Sequence, residues 1–171
     1  RVAQPDGQVV ETPVEPMTNY MVGSLARDFR RGMSTVGMLF TATHRRLGGD
    51  GAFEFLPSSA YAAGVRGRHR FAEGAWEASG YVAGSHVRGS EAAIERLQRS
   101  PARYFHRPDA EHVELDPTRT SLTGAVASFG LWKIGGNVRG GFGGHVRTPG
   151  FEVNDLGFQD DADMSLFFAN L

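Results

Sequence analysis

Apolar and polar residues alternate along several strand-length segments of this chain, and residues 137–150 show the pattern best. One parity of that segment holds apolar or small residues and the other holds two arginines and a histidine: Val138, Gly140, Phe142, Gly144 and Val146 against Arg139, Gly141, Gly143, His145 and Arg147. Side chains on a β-strand point to opposite faces with period two. The segment therefore predicts a strand with one apolar face and one cationic face.

The same alternation predicts six clear strands and two weaker ones. The clear strands cover residues 19–29, 34–43, 59–71, 76–87, 121–133 and 138–148, and the weaker ones residues 8–12 and 164–171. Ser90 is a suitable N-cap and Glu91 a favourable first-turn anion, so residues 91–99 are predicted to form a short helix inside a long loop. Residues 1–16, with three prolines, are predicted to form an extended arm, and residues 17–171 one domain.

The lengths of the predicted connections alternate between short and long. Short turns fall at Gly32, Gly74 and Gly136, and long loops cover residues 45–57, 90–120 and 149–163. Outer-membrane barrels place short turns at one end and long loops at the other, although soluble up-and-down barrels also show this alternation. The predicted fold is all-β: an antiparallel up-and-down β-barrel or barrel-like sheet of six to eight strands.

Composition narrows the classes of protein without choosing among them. The chain has 171 residues and a formal charge of −1, which gives no reason to expect nucleic acid as a partner. It has no cysteine, so disulfides and thiolate metal sites are excluded. No apolar run approaches the roughly 18 residues of a transmembrane helix, but a transmembrane strand needs only about 9–11.

Arginines share one face of the third predicted strand and suggest a binding surface. Arg66, Arg68 and Arg70 have the same parity, and a short turn should bring Glu77 beside them on the next strand. Together with Arg139, these arginines could bind an anionic or carbohydrate solute or line a cationic pore. The alternative is a solvated face neutralised by Glu77 and by acidic residues of the loops.

Enzymatic and metal chemistry leave weaker signals. Candidate catalytic residues for a hydrolase are Ser85, His86, His112 and His145, but no Gly-x-Ser-x-Gly elbow is present. Ser85 and His86 are adjacent and should face opposite ways on a strand, so a Ser85–His145 pair would depend on the fold. An acidic loop offers oxygen ligands that suit calcium but lacks EF-hand spacing: Asp155, Asp160, Asp161 and Asp163. No other cofactor is indicated.

Five segments carry a family resemblance. They are STVGMLFTATH at 34–44, GSHVRGSEAAI at 84–94, QRSPARYFHRPD at 98–109, LDPTRTSLTG at 115–124 and TPGFEVNDLGF at 148–158. They resemble an uncharacterised bacterial family of envelope proteins, in which a domain similar to family 9 carbohydrate-binding modules precedes a large outer-membrane β-barrel region. The resemblance covers roughly residues 18–163 and lies within the barrel region.

The resemblance implies a bacterial outer-membrane or cell-envelope location with membrane lipid as a partner, and it brings no catalytic residues. The family's carbohydrate-binding domain is not in this chain, and the chain is much shorter than the family's barrel region. We therefore expect it to close at the bacterial minimum of about eight strands, to self-associate as a homo-oligomer, or to form an open or soluble sheet.

Three functional hypotheses follow. The first is an outer-membrane-type barrel segment with a structural or solute-passage role and no chemistry of its own. The second is a soluble small β-barrel hydrolase, whose site at the barrel mouth is built from histidines and the 90–120 loop. The third, a carbohydrate-binding β module, depends on the family context alone.

Overall fold

The fold is a seven-stranded antiparallel sheet with one short helix. The computed structural model describes residues 14–49 and 51–171, together with the backbone of residues 2–3 and 9–10. A two-residue pair, β1 (Val2–Ala3) with β2 (Val9–Val10), precedes the sheet. The sheet contains, in spatial and chain order, β3 (Met17–Phe29), β4 (Ser34–Arg46), β5 (Ser59–Phe71), β6 (Trp76–Arg88), β7 (Ser121–Lys133), β8 (Gly140–Arg147) and β9 (Met164–Asn170). The helix α1 (Glu91–Arg99) lies between β6 and β7. The predicted all-β, barrel-like architecture is confirmed.

The sheet is open in the part of the chain that the structure describes. Its edges are β3 and β9, and no described strand pairs with the outer side of either. Neighbouring strands are antiparallel throughout, so β3 and β9, the first and last of seven, run in the same direction. The predicted arm at residues 1–16 lies largely outside the described residues.

The strand register divides the side chains cleanly between two faces. Residues paired across an antiparallel ladder lie on the same face. Arg66 pairs with Tyr81, Tyr81 with Ser128 and Ser128 with His145, so these four side chains belong to one face. We call it the arginine face, and the opposite one the apolar face. Tyr61 and Val65 have the other parity, so the two-sidedness predicted from the sequence is confirmed.

The apolar face has an uninterrupted apolar centre on the five strands between the edges. Only glycine and apolar residues occur there: Val36, Met38, Phe40, Ala42, Ala63, Val65, Gly67, Ala78, Gly80, Val82, Gly84, Ala125, Ala127, Phe129, Leu131, Phe142, Gly144 and Val146. Their large side chains are not covered, since Val82 is 55% exposed and Val36 54%. The sequence thus produces an extended apolar surface that no other described part of the chain buries.

The arginine face is concave and carries the buried core at its loop end. The N-cap Ser90 side chain accepts a hydrogen bond from the Ala93 amide and starts α1. The helix then packs Ile94, fully buried, against Ala60 and Val87 of the arginine face. Residues 151–158 fold over the same face and line one cavity together with residues of β3 to β8. Because one loop reaches strands so far apart, the sheet must curve around it.

The short connections lie together at the opposite end of the sheet. Residues 30–32 and 72–74 adopt the same conformation, with φ angles of 50°, 57° and 84° in the first and 50°, 58° and 85° in the second. Each turn ends on glycine, the residue that adopts positive φ without steric cost. The expected separation of short turns from long loops is therefore present.

Several strand limits differ from the sequence prediction: β3 begins at Met17 rather than 19, and β4 ends at Arg46 rather than 43. The eighth strand begins at Gly140 rather than 138, because the amides of Ile134 and Gly135 both donate to the Ala75 carbonyl and lengthen the preceding connection. Trp132 lies on the arginine face and stacks on Phe168, with the ring centroids 5.9 Å apart.

Candidate functional site

Three arginines form a column on β5 in the middle of the arginine face. Arg70 donates to Glu77 at 2.7 Å, which is the cross-strand pair predicted from the sequence. Arg68 donates a 3.4 Å hydrogen bond to the Thr35 hydroxyl, and that hydroxyl donates to Asp28 at 2.6 Å. At the turn end, Glu77 thus neutralises Arg70 directly. Nearer the centre of the strand, Arg68 is linked to a carboxylate only through the Thr35 hydroxyl.

Arg66, the third member, lies across β4. A Cβ added to Gly37 would be 3.1 Å from the Arg66 Nε, so the glycine leaves the space that the guanidinium occupies. Arg66 is exposed and makes no salt bridge in the described part of the chain. Its charge is therefore available to solvent or to a ligand.

Two cavities lie along the arginine face, and Arg66 and Tyr81 border both. The loop-end cavity, about 580 Å³, is mostly apolar and is covered by residues 151–158. The turn-end cavity, about 500 Å³, combines arginines, hydroxyls and aromatic rings of the arginine face: Arg66, Arg68, Thr35, Ser79, Tyr81, Ser128, Trp132 and Phe168. Arg66 and Tyr81, which are cross-strand partners, thus separate an apolar compartment from a polar, cationic one.

A buried ion pair joins the two long loops of residues 100–120 and 148–163, which together we call the loop layer. Arg103 and Glu152 contact each other with side chains only 1% and 3% exposed. The Arg103 guanidinium also donates to the Phe151 carbonyl. Burial lowers the pKa of Arg103 from its ordinary value, an effect that the Glu152 carboxylate opposes. Losing either partner would leave an uncompensated buried charge.

Close backbone contact also holds this loop. A Cβ added to Gly124 of β7 would lie 2.0 Å from the Phe151 nitrogen, so the loop lies directly on the strand. Buried Ser85 accepts a 2.8 Å hydrogen bond from the Glu152 amide, which ties the loop to β6 as well. The loop-end cavity is therefore roofed by a segment attached at several points.

The candidate catalytic serine is structural in this arrangement. Ser85 pairs with Gly124, whereas His145 pairs with Ser128, four residues further along β7. At about 3.3 Å per residue the two are separated by roughly 13 Å along the strand direction, too far for a hydrogen bond. The structure does not bring Ser85 and His145 together, and the Ser85 hydroxyl accepts the loop's hydrogen bond instead.

The three candidate histidines have separate surroundings. His86 lies on the apolar face, opposite Ser85 as predicted, and its Nδ1 is 2.7 Å from the Thr123 hydroxyl. His112 contacts Asp163 at 2.8 Å in the loop layer. His145 lies on the arginine face with its Nδ1 3.3 Å from the Tyr81 hydroxyl. The geometry does not bring the catalytic candidates together.

The candidate calcium ligands are distributed among different arginines. Asp155 contacts Arg45, Asp161 contacts Arg147, and Asp163 contacts Arg107 as well as His112. Among the residues described, no group of three or more histidine, aspartate or glutamate side chains is placed to hold a metal ion. The aspartates act here as partners of arginine, and Asp160 is exposed beside them.

Arg139 lies outside the binding face predicted for it. It precedes β8, and its Nε donates to the Gly136 carbonyl within the connection.

Sequence reasoning did not identify Arg103 and Glu152, because loops bring them together across long separations without a periodic pattern. The one sequence feature related to this contact is a glycine on each side of it, Gly124 on the strand and Gly150 on the loop, where the two backbones approach closely.

No family model, curated protein or solved structure matches this chain. Among the residues that the structure describes, no helix has the length and apolar character needed to cross a membrane.

Proposed function

We propose that this chain forms part of the wall of a transmembrane β-barrel in the bacterial outer membrane, with a structural or solute-passage role and no chemistry of its own. The observation that carries the proposal is the apolar face. Soluble proteins rarely expose contiguous apolar patches larger than a few hundred Å². Here the uncovered centre extends over every strand between the sheet edges, and lipid is the partner that such a surface suits.

Strand length supports the same proposal. Each of β3 to β7 has 13 residues. A transmembrane strand needs about 9–11 residues to cross the hydrocarbon core, which leaves one or two residues for each interface. The strands are longer than the five or six residues usual in globular sheets.

The composition at the strand ends on the apolar face also fits a membrane. Phe71 and Trp76 stack at 6.3 Å at the turn end, and Tyr61 packs edge-on against His44 at the loop end. Aromatic residues commonly border the apolar band of outer-membrane barrels. Lys133 ends its strand beside this belt, where its amine can reach the headgroups.

The open edges limit what the seven strands can do alone. A barrel must close because unpaired backbone groups are costly in hydrocarbon. Since β3 and β9 run in the same direction, an odd number of additional strands closes the barrel with antiparallel pairs only. In our proposal the seven strands are therefore a wall segment that further strands complete.

Vesicle flotation tests the proposal. The chain is refolded with phosphatidylcholine vesicles and, separately, kept in plain buffer. We expect flotation with lipid, because the apolar face binds lipid even in an open sheet, and aggregation without lipid or detergent. A monodisperse monomer in plain buffer that hydrolyses generic ester, phosphate or glycoside substrates would exclude the proposal and support the hydrolase alternative.

A further inference from the structure

The arginines of the concave face divide into those with a carboxylate and those without one. Arg45, Arg70 and Arg147 contact Asp155, Glu77 and Asp161 respectively. In the described part of the chain, Arg66 and Arg68 have no such partner. Positive charge on this face is therefore concentrated at two neighbouring side chains of β5.

These two guanidinium groups line a cavity rich in hydroxyl groups and free of carboxylates among its described residues. The hydroxyls of the turn-end cavity belong to Thr35, Ser79, Tyr81 and Ser128. Two acids of this face lie outside the lining: Asp28 accepts a hydrogen bond from the Thr35 hydroxyl, and Glu77 is paired with Arg70. The cavity volume, about 500 Å³, lies within the range of roughly 300–1,000 Å³ usual for small-molecule sites.

From this arrangement we infer that Arg66 and Arg68 form an anion-binding site on the concave face, for a small solute that carries a phosphate or carboxylate group. Guanidinium groups bind such oxyanions with paired, charge-assisted hydrogen bonds. Residues two apart on a strand lie about 7 Å from each other and on the same side, so both can reach one solute. The hydroxyls of Ser79 and Ser128 can add further donors, whereas the Thr35 hydroxyl already donates to Asp28.

The site deepens the proposed function and rests on it, because it assigns a solute class to the inside of the barrel wall. Arg66 and Tyr81 border both cavities, so a solute that moves along the face from one cavity to the other passes over these two side chains. An anion held at Arg66 would occupy that passage. The wall would accordingly favour anions over cations.

Titration with inorganic phosphate tests the site in the refolded, detergent-solubilised protein. The variants are Arg66→Gln and Arg68→Gln, and the matched control is Arg139→Gln, which removes the same charge from the connection before β8. Hydrogen bonds to charged groups are strong enough that we expect each β5 variant to bind phosphate roughly tenfold more weakly. The control should bind like the unmodified protein, and Arg66→Lys should keep part of the affinity.

Several results would overturn the inference. They are the absence of saturable phosphate binding in the unmodified protein, equal binding by the β5 variants, or an equal loss in the control, which would indicate a charge effect only. If Arg66→Gln does not refold, Arg68→Gln alone decides, since the Arg68 side chain is exposed and its hydrogen bond to the Thr35 hydroxyl is long, at 3.4 Å. Flotation is scored separately. A protein that floats with vesicles but does not bind phosphate rejects only the anion-binding site. A protein that binds phosphate but does not float rejects only the proposed membrane role.

Discussion

A charge placed on the apolar face gives a quantitative test of lipid contact. Val82 lies in the central row of that face, between Val65 and Ala127, and is 55% exposed. If the face lies in hydrocarbon, Val82→Arg puts a guanidinium near the bilayer midplane, which costs about 2–4 kcal/mol in a barrel. If the face meets water, the same change stays within about 0.5 kcal/mol.

Val138 provides the matched control. It is 59% exposed, close to the value for Val82, but lies in the connection before β8 and outside the apolar band. The free energy of unfolding of both arginine variants is measured by urea denaturation in phospholipid vesicles. We expect Val82→Arg to lose about 2–4 kcal/mol and Val138→Arg about 0.5 kcal/mol or less. Equal stability of the two variants would refute lipid contact at the centre of the sheet.

Three further predictions concern the loop layer. Gly124→Val should destabilise the protein by about 1–3 kcal/mol, because its side chain meets the backbone of the packed loop; faster proteolysis of the loop would show it, and unchanged cleavage would contradict it. Arg103→Met should cost about 3–5 kcal/mol in a denaturation experiment and Arg103→Met with Glu152→Leu much less, because the double variant leaves no unpaired buried charge. Hydrogen bonds from Thr118 lower the pKa of Asp116, so the folded state binds fewer protons there and this stabilisation is lost as pH falls; Thr118→Val should raise that pKa in an NMR titration, and an unchanged pKa would disprove the role of the hydroxyl.

The strands could be predicted because period-two alternation is a local property of the sequence. The limits of β5 and β7 match the prediction at both ends, and glycine turns marked the hairpins. Adjacent strands joined by a short turn must pair antiparallel, which also gave the contact between Arg70 and Glu77. The prediction failed at the start of β8, where backbone hydrogen bonds from Ile134 and Gly135 to Ala75 are a non-local contact that the alternation does not reveal.

The loop layer could not be predicted because its contacts are non-local. Ser85 and Glu152 are 67 residues apart, and no local sequence motif around either residue indicates the hydrogen bond between them. The parity of Ser85 placed it on the right face, but only the fold shows that a loop amide, and not His145, is its partner. The predicted separation of Ser85 from His86 needed no tertiary information and is correct.

Spin labelling of β7 tests lipid contact of the apolar face most directly, and the absence of cysteine from the chain makes each introduced cysteine a unique site. Ala127 and Phe129 lie on the apolar face, and Ser128 between them lies on the arginine face. Cysteine variants at these positions are labelled in vesicles and relaxed with oxygen, which enters lipid, or with a water-soluble nickel chelate. We predict that oxygen relaxes the labels at 127 and 129 more strongly than the nickel chelate does, and that the chelate relaxes the label at 128 more strongly. Equal access of nickel to all three positions would contradict the account.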